Sequence, residues 1–319
     1  MIDSLNLMIK NVKKVDFKNL IKLGGTFAKR YKNYTGSLVQ YGYNFLYKNI
    51  DFKYSKSFEN LLLIANPHKV LLKRDITLSD KNEFKKIIIQ ALKNILQTDE
   101  FTVEISRIDY YVDIPVNEKI NDYLNLLERH KKVFNRMKKT QYETSSYLKT
   151  KKGQGQIKLN FYDKYQESKK DYYKGILRLE IQNMPSKIKS EYKINNVSKQ
   201  IDIYWSKECM EKYYFKVLEK YLYIGTYYKR NICKKLVDKS DLTNRKRKNI
   251  NRFSLFESRY KVDGVLEKNK FCTDTINNYI KTLNELGINP ITIPKESKFE
   301  ELENLVKLAR ATAEEKYFK

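Results

Sequence analysis

Histidine and cysteine are scarce in this 319-residue chain, with two of the first and three of the second. Cys209, Cys233 and Cys272 lie far apart and form no C-x-x-C pair, so neither a zinc ribbon nor a disulfide framework is supported. A Ser-His-Asp or Cys-His mechanism would have to use His68 or His130, and neither has suggestive neighbours. Gly24-Gly25 and Gly153-Gln154-Gly155 are too short for a Walker loop and lack its lysine-hydroxyl tail, which argues against ATP-driven chemistry. No apolar stretch reaches the length of a signal peptide or a membrane span, so a soluble, intracellular protein is expected.

Carboxylates are also in short supply: 38 Asp and Glu stand against 64 Lys and Arg, for a net charge of +26. Hydrophobic residues at 41% and charged residues at 32% support a real core and argue against global disorder. An AT-rich coding bias would explain many lysines, but not so few carboxylates to balance them. A field this positive points to a polyanionic partner, nucleic acid ahead of an anionic membrane surface. No long basic amphipathic helix sits beside an apolar anchor, which weakens the membrane option. With His and Cys scarce, catalysis would rest on Tyr, Asp, Glu, Lys and Arg.

Periodicity divides the chain into two parts. Residues 1–9 alternate as a strand through Leu5, Leu7 and Ile9, with Ile2 out of phase. Strands are expected at 38–47 and 61–64, followed by a turn at Asn66-Pro67. Asp80 and Glu83 open a helix carrying Phe84, Ile88, Leu92 and Ile95 on one face. A strand over 101–114, a helix over 120–137, a basic glycine-containing loop at 149–155, and strands at 156–163 and 176–182 around a turn follow. Beyond Pro185 the pattern turns helical, at 206–237, 273–286 and 302–313, with a basic run at 244–249 read as a solvated loop. The expectation is an α+β domain with an antiparallel sheet over 1–190 and a mainly helical domain over 191–319.

Side chains alternate between the faces of a strand. Arg107, Asp109, Tyr111 and Asp113 share one face of the 101–114 strand, opposite Ile108, Tyr110, Val112 and Ile114. Lys158, Asn160, Tyr162 and Lys164 share a face of the next strand, and Arg178, Glu180 and Gln182 one of the last. By itself this describes any half-solvated antiparallel sheet. If the three strands pair, however, carboxylates, lysines, arginines and a tyrosine converge. Carboxylate oxygens suit Mg²⁺ or Mn²⁺, a tyrosine can act as a covalent nucleophile, and Lys and Arg neutralise phosphate oxygens.

Several segments resemble, in order, the phage and plasmid replication initiators related to the filamentous-phage gene II protein. They are Met1-Ile2-Asp3, Arg107-Ile108-Asp109, Tyr162-Asp163-Lys164, Leu177-Arg178-Leu179-Glu180-Ile181 and the helical stretch Thr275 to Gly287. Trans-acting plasmid initiators share a similar Tyr-x-Lys and Arg-x-Glu arrangement. The resemblance implies a rolling-circle replication initiator with an HUH/Rep-like sheet, a metal-dependent DNA-nicking endonuclease and transesterase. It implies a 5′-phosphotyrosine intermediate and a free 3′-OH primer. The His-hydrophobic-His motif of that class is absent, and Pro67-His68-Lys69 is a poor substitute, so ligation falls mainly on carboxylates.

On this reading Tyr162 is the nucleophile, Tyr165 its runner-up, and Lys164 orients phosphate or activates the phenol. Asp109, Glu180 and Asp113 are the candidate ligands for Mg²⁺ or Mn²⁺, unless Asp109 or Glu180 is half of an ion pair with Arg107 or Arg178. Glu104 would face away from them unless a bulge turned it round. Arg107, Lys158, Arg178 and the basic run Arg245, Lys246, Arg247 and Lys248 are the candidate DNA contacts. Expected partners are single-stranded or cruciform origin DNA and a host helicase and polymerase, in the cytoplasm of a bacterial host, with a homodimer admissible. A non-catalytic origin-binding or transcription-regulating protein and a relaxase- or transposase-like enzyme are the competing readings.

Overall fold

A computed structural model describes residues 1–35, 38–130, 137–139, 143–148, 156–267 and 271–318. The basic glycine loop at 149–155 lies outside them. Among the described residues, ten strands form one sheet in the order β2-β3-β4-β5-β1-β6-β10-β9-β8-β7, with antiparallel pairing throughout. The strands are β1 (Ile2–Ile9), β2 (Thr26–Thr35), β3 (Leu38–Tyr47), β4 (Ile50–Ser55) and β5 (Asn60–Ala65) in the first part. They continue with β6 (Glu104–Pro115), β7 (Met137–Lys139), β8 (Glu143–Leu148), β9 (Ile157–Asp163) and β10 (Ile176–Asn183). The α+β class expected from the sequence is the class observed.

Helices cover the sheet face that carries Ile108, Tyr110, Val112, Leu177, Leu179 and Ile181, all inaccessible to solvent. The Lys81–Leu96 helix buries Phe84, Ile88, Ala91, Leu92 and Ile95, the stripe that its 3.6-residue periodicity requires. Segments beyond residue 190 enter the same core. Tyr110 Oη donates to the Tyr204 carbonyl at 2.6 Å, and Tyr214 Oη to that of Leu179 at 2.9 Å. No helix among the described residues is long and apolar enough to cross a membrane.

Three expected elements differ. The helix from residue 120 stops at Arg129, because His130 turns inward to stack on Tyr223, with ring centroids 5.4 Å apart. The stretch 206–237 is not one helix. Its helical course ends at Leu222, beyond which Tyr223 takes a φ of +54°, and Gly225, with a φ of +99° and the Ile288 carbonyl carbon 2.5 Å from any added Cβ, turns the chain into the short strand β11 (Tyr227–Tyr228). A second small sheet forms where β11 pairs with β12 (Glu301–Leu302). The basic run at 244–249 is no loop but the first turns of the Asn244–Glu267 helix, with Thr243 Oγ1 accepting from the Lys246 amide at 3.4 Å.

Two register shifts matter for the polar face. Between Ile2, opposite Tyr110, and Ser4, opposite Asp109, β1 contains one extra residue. This bulge explains the out-of-phase Ile2: it keeps Ile2 in the core while both Asp3 and Ser4 point to the other face. The second shift, between Asn6 and Leu7, adds a residue to β6. It turns Glu104 to the Arg107 face, but at the far end, where Lys10 and Lys199 hold it at 2.9 and 3.3 Å.

Candidate active site

The polar face of β1, β6, β10 and β9 gathers the predicted residues. Glu180 sits between Tyr111 on β6 and Asn160 on β9, Arg178 between Asp113 and Tyr162, and Gln182 between Asp109 and Lys158. Directly opposed residues in an antiparallel ladder share a face, so these nine side chains form one patch. Three of its charged members are sequestered. Asp109, Arg178 and Glu180 are 1%, 2% and 5% exposed.

Two ion-pair systems organise the patch. Arg107 donates to both oxygens of Asp109 at 2.9 and 2.7 Å, and Ser4 Oγ adds a third bond at 2.6 Å. Arg178 donates to both oxygens of Asp113 at 2.6 and 2.7 Å and to Asp3 at 2.8 Å, with its guanidinium 4.0 Å from the centre of the Tyr111 ring. Planar bidentate pairing of this kind is what arginine, and not lysine, provides. Burial opposes the Arg178 charge, but Asp113 and Asp3 outweigh it and hold the guanidinium charged. Arg178 is therefore a buried strut of the site rather than a free phosphate contact, and Asp113 has both oxygens committed to it.

Glu180 stands apart from both systems. One carboxylate oxygen accepts from Gln182 Nε2 at 2.6 Å and the other from Tyr162 Oη at 3.3 Å. Burial, with the nearby negative charges of Asp3 and Asp109, pushes its carboxyl up to about 7. Asp109 is raised too, by burial first and Asp3 next, against the pull of Arg107. Tyr162, at 7% exposed, has its phenol raised well above the usual value by burial, with Glu180 adding to the rise. A tyrosine in this setting needs a base to take its proton, and Glu180 is in contact with the hydroxyl.

Lys164 does not continue the strand. Asp163 ends β9 by accepting from the Tyr165 and Gln166 amides, which starts the short Lys164–Ser168 helix. Even so, the Lys164 ammonium returns to the site, 5.7 Å from the Tyr162 ring and 5.4 Å from that of Tyr173, while bonded to Glu167 at 2.6 Å. Tyr165 lies under Lys174, 5.5 Å from its ammonium, and has no bond to Glu180. Arg245, Lys246, Arg247 and Lys248 belong to the helical part, outside this cluster, and Arg247 is bound to the Asp238 carbonyl at 2.6 Å.

Residues that the pattern does not single out complete the patch. Asp3 and Ser4 arrive through the β1 bulge, whose only trace in the sequence is the misplaced Ile2. Tyr111 Oη meets His68 Nε2 at 3.0 Å, and His68 is held below its usual pKa by burial and nearby positive charge. Pro67 and the Asn66 cap place this histidine, since Asn66 Oδ1 accepts from the Lys69 amide at 3.2 Å.

Among the described residues, no group of three or more His, Cys, Asp or Glu side chains is arranged to hold a metal ion. A pair is present, however: Asp109 and Glu180. Mg²⁺ is commonly bound through one or two carboxylates together with substrate phosphates and water. Both are hard oxygen donors with upward-shifted pKa values, which suits such an ion, but Asp109 is the ion-pair partner of Arg107, so a cation there would have to replace that pairing, and Glu180 is the carboxylate without an arginine partner.

Comparison with known proteins bears on the whole cluster. A family model for the N-terminal region of the phage replication-associated gene II protein matches residues 1–209. Among solved structures, a rolling circle replication initiator protein from Geobacillus stearothermophilus is similar over 62% of this chain and 79% of its own, at 17% identity and a TM-score of 0.33. TBP from Methanococcus jannaschii is similar over 61% of this chain and 93% of its own, at 9% identity and a TM-score of 0.29. No curated protein matches. The matched segment contains Asp3, His68, Asp109, Tyr162 and Glu180 together, and the chain belongs to the family of phage replication-associated gene II proteins.

Proposed function

We propose that this protein is a rolling-circle replication initiator that nicks one strand of origin DNA and joins it covalently to Tyr162. The observation that carries the reading is the contact between Tyr162 Oη and a Glu180 carboxylate pushed up to about 7, beside Asp109, within a replication-associated family. Tyr162 Oη attacks the scissile phosphorus while its proton passes to Glu180. The new Oη–P bond replaces the bond to the 3′ oxygen, which leaves as a 3′-hydroxyl after taking a proton from solvent. The ester keeps the bond energy, so no nucleotide is consumed. Attack by a 3′-hydroxyl on the phosphotyrosine later reseals the strand and returns the proton to Tyr162.

Asp109 and Glu180 would hold Mg²⁺ or Mn²⁺, which supplies Lewis-acid polarisation of the phosphate when bound. Arg107 orients Asp109, and Arg178 fixes Asp113 and Asp3 so that the patch keeps its shape. Lys164, between the Tyr162 and Tyr173 rings, neutralises an incoming phosphate oxygen. Lys158 extends this cationic line along β9, residues 1–190 carry the chemistry, and 191–319, with Arg245 to Lys248, contributes DNA binding and assembly. A host polymerase would extend the exposed 3′-hydroxyl while a host helicase unwinds the duplex.

The experiment is incubation with supercoiled plasmid carrying the protein's own replicon, with and without Mn²⁺, followed by denaturing electrophoresis. Open circles with a covalent protein–DNA adduct are expected. Tight DNA binding with no nick under either condition would favour a non-catalytic origin-binding protein instead.

A further inference from the structure

We propose that the helical part carries a second DNA contact, a cleft for the phosphate backbone of duplex DNA lined by Arg230, Arg259 and Lys295 and extended along the neighbouring helix by Arg252, on the side of the sheet away from Tyr162. It rests on the reading of the chain as a protein that acts on DNA. Residues 229–259 hold eleven Lys or Arg against three Asp or Glu. One of those acids, Glu257, is fully buried and spent internally. Its oxygens accept from Arg129 at 3.1 Å and from the Thr292 amide and hydroxyl at 3.1 and 2.7 Å. Arg129 also donates to the Glu257 and Ser258 carbonyls at 3.0 and 3.2 Å. This node ties three chain segments together as the floor of a cavity of about 820 Å³.

The walls of the cavity are cationic: Arg129, Lys229, Arg230, Arg259 and Lys295 face Glu296 and Glu300. A stripe of charge runs out of it along the Asn244–Glu267 helix. Arg245, Arg252 and Arg259 recur every seven residues, with Lys248 between the first two, so all four lie on one helical face. At about 1.5 Å per residue the row from Arg245 to Arg259 spans about 21 Å, or roughly six base pairs of duplex. All four are exposed, and among the described residues none is ion-paired. Arg252 is steadied over the Phe256 and Phe271 rings, each 5.8 Å away. The antiparallel helix Arg230–Lys239 is locked alongside by Asn251 to Asp238 at 2.7 Å, and brings Arg230 to the cavity.

Charge selects a polyanion, and the lining selects its form. Single-strand grooves interleave cations with aromatic platforms for base stacking. Among the described residues, this cavity has no aromatic residue in its wall. A cationic cavity without aromatic platforms, extended by a row of cations fixed along one helix, suits the regularly spaced phosphates of a duplex. The position is set by the Ile120–Arg129 helix, whose Ile120, Tyr123, Leu126 and Leu127 are buried against the apolar side of the sheet and whose last residue enters the cavity. The cleft and the Tyr162 patch therefore engage different stretches of DNA.

The test is equilibrium binding of a 30-base-pair duplex across a salt series by the full chain and by the R230Q/R252Q/R259Q variant. Loss of three phosphate contacts should lower the slope of log affinity against log salt by about 2 to 3 and weaken binding by roughly tenfold or more at moderate salt. The R230K/R252K/R259K variant keeps the charge and should bind nearly as the parent does. If the glutamine variant melts early, R252Q alone against R252K carries the comparison. Unchanged duplex affinity and slope would overturn the cleft, as would an equal loss in the lysine variant. A larger loss for the single-stranded oligonucleotide than for the duplex would overturn the duplex assignment. None of these readouts needs cleavage, so a failure of nicking by the parent protein would sink the active-site reading and leave the cleft standing.

Discussion

Replacing Glu180 by Gln tests the electrostatics of the site without any substrate. The change is nearly isosteric and leaves an acceptor for Tyr162 and a partner for Gln182. In the folded protein the Glu180 carboxyl is pushed up to about 7, against 4.5 for an ordinary glutamate. The folded state therefore holds a proton that the unfolded chain has lost between those values. Stability from this group is complete below 4.5 and falls as pH rises through 7. At about 1.36 kcal/mol per unit, the parent should lose about 2.5 kcal/mol relative to the Gln variant between roughly pH 5 and pH 8. For a chain of this size that is a relative drop in Tm of roughly 4 °C. The assay is thermal melting of both proteins across that range, once in EDTA and once in Mn²⁺. A bound cation favours the charged carboxylate, so the parent's loss should shrink in Mn²⁺ while the Gln variant stays as it was. Parallel curves in EDTA would refute the buried-charge argument, and an unresponsive parent in Mn²⁺ would remove Glu180 as a ligand.

Other outcomes follow from the same geometry. Tyr162→Phe should fold with a loss of about 1 kcal/mol, bind DNA and form no adduct, while Tyr165→Phe still cleaves; mass spectrometry of a trapped oligonucleotide adduct decides, and a nucleotide on a peptide lacking Tyr162 would reassign the nucleophile. Nicking should stop in excess EDTA and in Asp109→Ala, with DNA binding retained in a gel-shift assay; normal nicking by the variant would end its role as a ligand. Arg178→Ala strands Asp3 and Asp113 and should cost about 3–5 kcal/mol by denaturant titration, more than Arg107→Ala, whose partner Asp109 keeps the Ser4 bond. Equal costs would mean that Arg178 is not the strut of the patch.

The heart of the sheet is legible in the sequence because β6, β9 and β10 are clean two-residue alternations, each with an apolar face to bury and a polar face to show. Other strands are hidden for physical reasons. In β2, Thr26–Thr35, polar residues fall on both parities, so no period stands out. Lys164 reads as strand because it keeps the parity of Tyr162, although Asp163, a strong helix cap, marks the end of β9. Thr243 likewise signals a helix start before the basic run, whose Lys and Arg are good helix formers. The contribution of Asp3 and Ser4 depends on a bulge, and the partnership of Arg178 with Asp113 on a register across 65 residues. Alternation fixes which face a residue takes, but not its neighbour on the next strand.

The strand order also dictates when the site can exist. Its groups come from β1, β6, β9 and β10, and the last of these to be synthesised slots between two that are already made. Until β10 is in place, Tyr162 has no Glu180, and Asp3 and Asp113 have no Arg178. A growing chain with every residue through β9 therefore carries Tyr162 without the Glu180 contact and Asp113 without Arg178. The cluster is complete only once the sheet closes, so a half-made or clipped N-terminal fragment lacks the assembled site that the proposed reaction requires.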